Sequence, residues 1–295
     1  MVVLRRKCRG IGKDDAHRPY TSAALELLLR SWNVFHGNAN PPERRTFLEQ
    51  MVRLAVADRP TAVFLQEVPA WALGKLGGWS GMATVAEVAA HPTLGPFPST
   101  AALGRALTAL HPGRLRSAFA GQGNALLLGQ GARVVARSCL TLNTRAFRRA
   151  QAQWLDLPSV ARWTWAKERR ICQAVRAILP DGRAALLANL HATGYRPDKR
   201  LPDAELLRAA VFADALAEPG DVCVLAGDFN VTADHSTTMK DLASAQWGFS
   251  RAGEGIDHIL VRGAEVSTPE PWPRDRRLVD GRILSDHAPV DLVLR

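Results

Sequence analysis

The residues in this chain best suited to chemistry are carboxylates, amides and imidazoles that fall where apolar runs stop. Residues 222–232 read VCVLAGDFNVT, a run with the character of a doubly buried strand that breaks at Gly227 and delivers Asp228 and Asn230. A carboxylate and a carboxamide two residues apart at the mouth of such a strand is how a sheet presents polar chemistry at its rim. Gly and Asp are also the default turn residues, so this stretch alone reads equally well as a plain turn. Other runs end the same way. Asn33 follows LLLRSW, Glu67 follows TAVFLQ, His191 closes ANLH, Asp257 sits in GIDHIL, and Asp286-His287 sit in SDHAPV. Core packing does not ask for Asp, Glu, Asn or His at six successive strand ends. The set offers hard oxygen donors for a cation and imidazoles for proton transfer.

These residues need elements to carry them. Residues 24–34 read as a first strand. The Pro41-Pro42 pair suits the first turn of a helix, in which Phe47, Met51, Leu54 and Ala55 share one face until Pro60. Residues 61–68 form a second strand. Residues 69–100 carry no clear periodicity, and 101–110 form a short helix capped by Ser99-Thr100 and stopped by Pro112-Gly113. Strand-like runs follow at 117–120, 124–128 and 134–142, then at 171–179 and 184–190 around a Pro180-Asp181-Gly182 turn. Residues 203–217 are helical, with Leu206, Leu207, Ala210, Val211 and Leu216 on or near one face. Residues 255–261 and 288–294 are the last strands. Strands outnumber helices and the gaps between them are short. This fits a two-layer α/β core or a helix-flanked β-sandwich and not a fully alternating parallel sheet.

In order and spacing, WN, QE, NLH, GDFN, IDHI and SDH resemble the endonuclease/exonuclease/phosphatase, or DNase I-like, family, over residues 28–295. Asn124 and Arg169-Arg170 also match family features. The resemblance implies a four-layer α/β sandwich, two packed sheets flanked by helices, and a divalent-metal phosphoric ester hydrolase. It implies Glu67 as principal metal carboxylate, with Asn33 and Asp286 as further ligands, direct or through water. It implies Asp228 as the residue that orients or deprotonates the attacking water, and Asn230 as a phosphate-contacting amide. His191 and His287 would bracket the phosphate, and Asp257 would orient His287. The chemistry wants these types, because a phosphodiester is anionic and repels hydroxide. Mg²⁺, with Mn²⁺ as a substitute, would neutralise that charge and polarise a phosphoryl oxygen. The oxygen-rich ligand set and scattered cysteines (Cys8, Cys139, Cys172, Cys223) argue against zinc and against a disulfide framework.

Each residue also has a plainer reading. Glu67 fits a solvated rim charge, Asp257 a local turn cap, and His258 a structural histidine. His36, His91, His111 and His235 have no partner pattern and receive no role. Residues 145–170 mix arginines with Phe147, Trp154, Trp163 and Trp165. They read either as a nucleic-acid surface or as edge strands with a basic outer face and tryptophans in the core.

The net charge of +10 favours a polyanionic partner such as nucleic acid. The N-terminus lacks a signal-peptide apolar region, and no run is long enough to span a membrane. A cytoplasmic monomer is expected, with residues 1–22 a basic tail and 23–295 one domain. The leading reading is a phosphodiesterase of the nuclease kind. A lipid or small-molecule phosphodiesterase of the sphingomyelinase sort is the alternative, and residues 71–82 are its candidate membrane loop. A third reading is a non-catalytic binding module that keeps the fold. The Asp-Arg signature of inositol-phosphate phosphatases is absent, since Asp257-His258 stands there. The tyrosine that apurinic endonucleases carry just before the NLH position is also missing.

Overall fold

Strand alternation decides the architecture. In the computed structural model, residues 26–94, 97–110 and 120–295 are described. The expected tail, residues 117–119 of the strand-like run 117–120, and the Pro112-Gly113 stop therefore lie outside the described residues. The strands, in chain order, are β1 (Leu27–Asn33), β2 (Ala39–Asn40), β3 (Ala62–Pro69), β4 (Ala83–Ala90), β5 (Thr93–Leu94), β6 (Phe97–Pro98), β7 (Gln122–Leu128), β8 (Arg133–Thr141), β9 (Ile171–Ile178), β10 (Ala184–His191), β11 (Val222–Asp228), β12 (Asp257–Arg262), β13 (Glu270–Pro271), β14 (Leu278–Val279), β15 (Arg282–Leu284) and β16 (Val290–Leu294). Two large sheets form, in the orders β13-β16-β1-β3-β7-β4 and β12-β11-β10-β9-β8.

Alternate residues of each strand face opposite ways. Leu27 and Leu29, Ala62 and Phe64, Ala185 and Leu187, and Val222, Val224 and Ala226 all enter the core between the sheets. The intervening residues of β10 and β11, such as Leu186, Ala188, Cys223 and Leu225, face a second core. There they meet Leu206, Ala209, Ala210 and Ala213 of the helix Arg200–Leu216. Val63, Leu65, Ala125 and Leu127 face a third core with Leu48, Met51, Val52 and Ala55 of the helix Leu48–Ala55. Helices, sheet, sheet and helices give four layers, as the sequence resemblance implied.

The inward series then turns polar toward one end. In β1 Leu27 and Leu29 give way to Ser31 and Asn33. In β3 Ala62 and Phe64 give way to Gln66, and in β10 Ala185 and Leu187 give way to Asn189 and His191. These amides join the sheets. Gln66 donates to Asn189 Oδ1 (2.8 Å), and Asn189 Nδ2 donates to Leu65 O and Ala125 O (both 3.0 Å). Asn124 Nδ2 reaches Asn189 O (3.3 Å) and Ile171 O (3.4 Å), and Gln173 Nε2 reaches Val85 O (2.9 Å). All four side chains are buried, so each bond replaces water that cannot enter.

Several local expectations change. Pro41 and Pro42 precede the helix instead of opening it. Helix geometry begins at Leu48, after Phe47 N has bonded Gly37 O. Leu207 and Val211 are exposed; the buried stripe of their helix runs through Leu201, Leu206, Ala209, Ala210 and Ala213. Residues 145–170 form two helices, Arg145–Trp154 and Ser159–Lys167, and not edge strands; Thr144 Oγ1 caps the first. The proposed membrane loop is instead two short helical segments, Ala70–Lys75 and Leu76–Ser80. In them Trp71, Leu73 and Trp79 pack on the third core, with Leu76 fully buried in it. Cys172 and Cys223 are buried, whereas Cys139 is exposed on the edge strand β8. Among the described residues no helix is long and apolar enough to cross a membrane.

The amide layer should be expensive to break. Asn189→Ala strands two buried carbonyls and one end of Gln66, and unmade buried hydrogen bonds cost about 1–3 kcal/mol each. Urea unfolding should show a loss of about 3 kcal/mol or more. A loss below about 1 kcal/mol would mean the layer does not hold the sheets together.

Candidate active site

The polar residues meet because of strand direction. β1 and β3 run parallel, as do β10 and β11, so Asn33, Glu67, His191 and Asp228 arrive at one end of the sandwich. β12 runs antiparallel to β11 and β16 antiparallel to β1, so their beginnings lie at that same end. Asp257 therefore opens its strand, and Asp286-His287 precede theirs; neither closes a strand. His191, Asp228 and Asp257 form one cross-strand row, paired in register His191 with Asp228 and Asp228 with Asp257.

Two backbone features aim the side chains. Gly227 has φ +140°, and a Cβ there would sit 1.9 Å from Leu190 O, so only glycine lets β10 and β11 approach next to Asp228. Glu67 lies inside β3, where the register with β7 shifts between Leu65 and Val68, and it has φ +55°. Strict alternation would turn Glu67 away from Gln66's side of the sheet. The bulge re-aims its carboxylate to where His191 stands.

Asp228 is almost fully enclosed, 1% exposed. Its Oδ2 accepts from Asn33 Nδ2 (3.0 Å) and its Oδ1 from Asn230 N (3.0 Å). His191 Nε2 stands 3.5 Å and His287 Nε2 3.9 Å from Oδ2. Asn33 spends its Oδ1 on Phe35 N (3.0 Å). Asn230, also at positive φ (+53°), donates its amide to Ala192 O (3.0 Å), tying the end of β11 to the loop after β10.

The two histidines sit in opposite electrostatic settings. Burial, then Arg170, His287 and His36, hold His191 well below its ordinary pKa, so it is neutral. Arg170 Nη1 lies 2.9 and 3.0 Å from its two ring nitrogens, and Arg170 Nη2 donates to Glu168 (2.8 Å). His287 donates Nδ1–H to Asp257 Oδ2 (2.7 Å). Burial alone would lower His287, but Asp228, Asp257 and Asp286 outweigh it and raise the imidazole to about 10. Desolvation, with Asp228 beside it, raises Asp257 to about 6. Burial lifts Glu67 to about 7, against the pull of Arg170 and His287.

Sequence reasoning assigned no supporting role to five residues. His36 was given no role, yet its Nε2 lies 3.2 Å from Glu67 Oε2. Ser285 Oγ donates to Asn33 O (2.7 Å) and accepts from His287 N (3.1 Å). Arg277 gathers Leu284 O, Ser285 O and His287 O, and Trp32 Nε1 also donates to His287 O. Arg170 was noted only as a motif feature. His36 and Ser285 were signalled only by adjacency to the WN and SDH motifs, and nothing local signalled Arg277. His258 is buried with Nε2 on Val231 O (3.1 Å), His235 bonds Thr232, and His111 lies outside the described residues.

A divalent cation fits this donor set. The Glu67 carboxylate is desolvated without full compensation, and Asp257 Oδ1 is buried with no hydrogen-bond partner. Ligand atoms of Asp228, Asp257 and His287 lie within 4.8 Å of one another. Asp286 is exposed at the rim, its Oδ1 3.9 Å from His287 Nε2.

A model of the endonuclease/exonuclease/phosphatase family matches residues 31–287. No curated protein matches the chain in sequence. Solved structures share the fold. An endonuclease/exonuclease/phosphatase from Bacteroides vulgatus superposes with a TM-score of 0.64 at 14% identity, covering 92% of this chain and 99% of that one. One from Beutenbergia cavernae gives 0.63 at 15%, covering 92% and 71%. TDP2 from Caenorhabditis elegans gives 0.57 at 12%, covering 91% and 75%.

The Glu67 setting has a measurable sign. Its folded pKa of about 7 stands above the ordinary carboxyl value of 4.5, so the metal-free fold favours the neutral acid. Stability is therefore lost as pH rises from the unfolded value through the folded one. The loss is at most about 3 kcal/mol by pH 8, and less because the side chain keeps 19% of its surface exposed. In EDTA, Glu67→Gln should raise the melting temperature by several degrees at pH 8 and leave it nearly unchanged at pH 5. Equal effects at both pH values would contradict this setting.

Proposed function

The chain belongs to the endonuclease/exonuclease/phosphatase family, and from that membership we propose that it is a Mg²⁺-dependent phosphodiester hydrolase of the nuclease kind. The observation that carries the reading is the in-register row of His191, Asp228 and Asp257 facing Glu67 and His287 across the sandwich. Five ionisable side chains converge at the end where both sheets turn polar.

Glu67 would be the principal cation ligand, with Asp286 at the rim and Asn33 reached through water. The bound cation would neutralise the ester's charge and polarise a phosphoryl oxygen. The remaining work falls to side chains. Asp228, held at both oxygens by Asn33 and Asn230, orients a water for in-line attack and receives its proton. His287 is kept protonated by its carboxylate neighbours and fixed by Asp257. It presents Nε2–H to the charge that develops on the phosphoryl oxygens. Arg170 and neutral His191 form the opposite wall and add donors to it. Asn230 stands at the same end with one amide N–H on Ala192 O, and its second N–H would serve a phosphate oxygen.

Net charge of +10 supports nucleic acid as the ester. The sphingomyelinase-like alternative loses its one candidate loop, since Trp71 and Trp79 pack inward.

Purified protein should hydrolyse a phosphodiester with Mg²⁺ or Mn²⁺ and stop on addition of EDTA. Asp228→Ala and His287→Ala should each lower kcat by about 10²–10⁴-fold. A screen across supercoiled DNA, single-stranded DNA, RNA, an abasic duplex, sphingomyelin and small diesters, with Asp228→Ala as the blank, selects the substrate. Full activity in either variant would refute these roles.

A further inference from the structure

Several arginines among the described residues are neutralised by carboxylates. Arg30 pairs with Asp58 and Asp291, Arg176 with Asp221 and Glu218, Arg183 with Asp181, Arg200 with Asp198, and Arg262 with Asp214. The helix pair inserted between β8 and β9 instead gathers four arginines without a carboxylate partner around one hollow. Arg145, Arg148 and Arg149 recur at i, i+3 and i+4 on the helix Arg145–Trp154, and Arg162 faces them from Ser159–Lys167. Together they line one cavity of about 320 Å³ floored by Ala152 and Trp165. Among the described residues, none of the four makes an ion pair with a carboxylate.

Four guanidiniums around one hollow repel one another, and only an anion relieves that. Two are held ready for it. Arg148 donates one N–H to Asn143 O (2.6 Å) and Arg162 donates one to Leu157 O (2.7 Å), leaving their other N–H groups for a ligand.

The same helices show a second anomaly. Trp154 and Trp163 are each 79% exposed. The other six tryptophans are buried or packed against a core cluster. The two helices thus carry exposed indoles as well as unneutralised arginines, contacts for bases and for phosphates, and the bases must be unpaired to offer their faces. The pair is also fastened to the catalytic end. Asn143 Nδ2 donates to Trp165 O and Glu168 O, and its Oδ1 accepts from Arg170 N, the residue that touches His191. Buried Glu205 holds Trp165 Nε1 and Thr193 N, closing the second helix against the loop that follows His191.

The geometry points to this helix pair as a single-stranded nucleic-acid binding site adjoining the catalytic centre. The four arginines take the strand's phosphates, and Trp154 and Trp163 stack on its bases. The inference rests on the nuclease reading and names the strand state of its substrate.

Two double variants test it, Arg145→Ser with Arg149→Ser, and Trp154→Ala with Trp163→Ala; both pairs are exposed, and thermal melts check folding. Binding of a labelled thymidine oligonucleotide of about twenty nucleotides is measured in EDTA by anisotropy, beside a duplex of equal length. Turnover of bis(p-nitrophenyl) phosphate with Mn²⁺ is measured in parallel. Each variant should bind the single strand about 10-fold or more weakly. The arginine variant should also flatten the salt dependence, by about 0.7 in log–log slope for each phosphate it no longer neutralises. Turnover of the small diester should match the unsubstituted protein. Unchanged single-strand affinity in both variants, no binding by the unsubstituted protein, or duplex binding as tight as single-strand binding would each overturn the inference. Failure of the hydrolase reading appears elsewhere, as no metal-dependent turnover of any diester by the unsubstituted protein whatever the binding result.

Discussion

Gln66, Asn124, Gln173 and Asn189 lie between two sheets whose central contact is apolar, aliphatic apart from Phe64. An apolar interface between sheets is tolerant of small slips, because dispersion and burial have no direction. Paired amides are not tolerant, since a slipped strand would leave donors and acceptors buried and unmet. The bonds from Asn189 to Leu65 O, Ala125 O and Gln66 therefore set how β10 sits over β3 and β7. The candidate site lies one inward position further along the same strands. His191 follows Asn189 on one face of β10, and Glu67 follows Gln66 directly. Their mutual placement is inherited from the amide layer.

Moving from the apolar centre to that end, the inter-sheet space changes from aliphatic to amide to ionisable. The order has a physical use. The aliphatic part supplies stability, the amide part supplies register, and the last part is left with charges whose demands on one another are only partly met. Glu67, Asp257 and His287 all show it. Two acids are pushed up by burial and one imidazole is pushed up by the acids around it. An end tuned this way is prepared for a cation and an anionic ester, each of which supplies charge that the side chains lack.

Outside that end, the segment between β8 and β9 follows a different rule. It forms a small core of its own, with Ala152, Leu157, Ala161, Trp165 and Leu201, and it is pinned through Asn143 and Glu205. Its outer surface carries cationic and aromatic side chains that this small core does not use. Stability there comes from few residues, which frees the rest of the helix pair for contact with something else.

Much was legible in the residues themselves. Continuous apolar runs at 184–190 and at the start of 222–232 specified buried strands, and the polar residues that end them identified the chemistry, because side-chain type and run length are local properties. Net charge and the ordered motifs indicated a family and an anionic partner on the same footing. Other features belonged to tertiary structure. Whether Asp257 closes or opens a strand depends on β12 running antiparallel to β11, which no local pattern states. The turn of Glu67 toward the site depends on a bulge formed against β7, and the approach of His36 to it on where the loop after β1 packs. Residues 145–170 looked like strand or surface because arginine and tryptophan suit either. Trp165 on Glu205 and Phe147 against Trp165 decided for helices, through partners far away in the chain or on the other helix. Composition could name the groups that do chemistry; only the directions of the strands could bring them to one place.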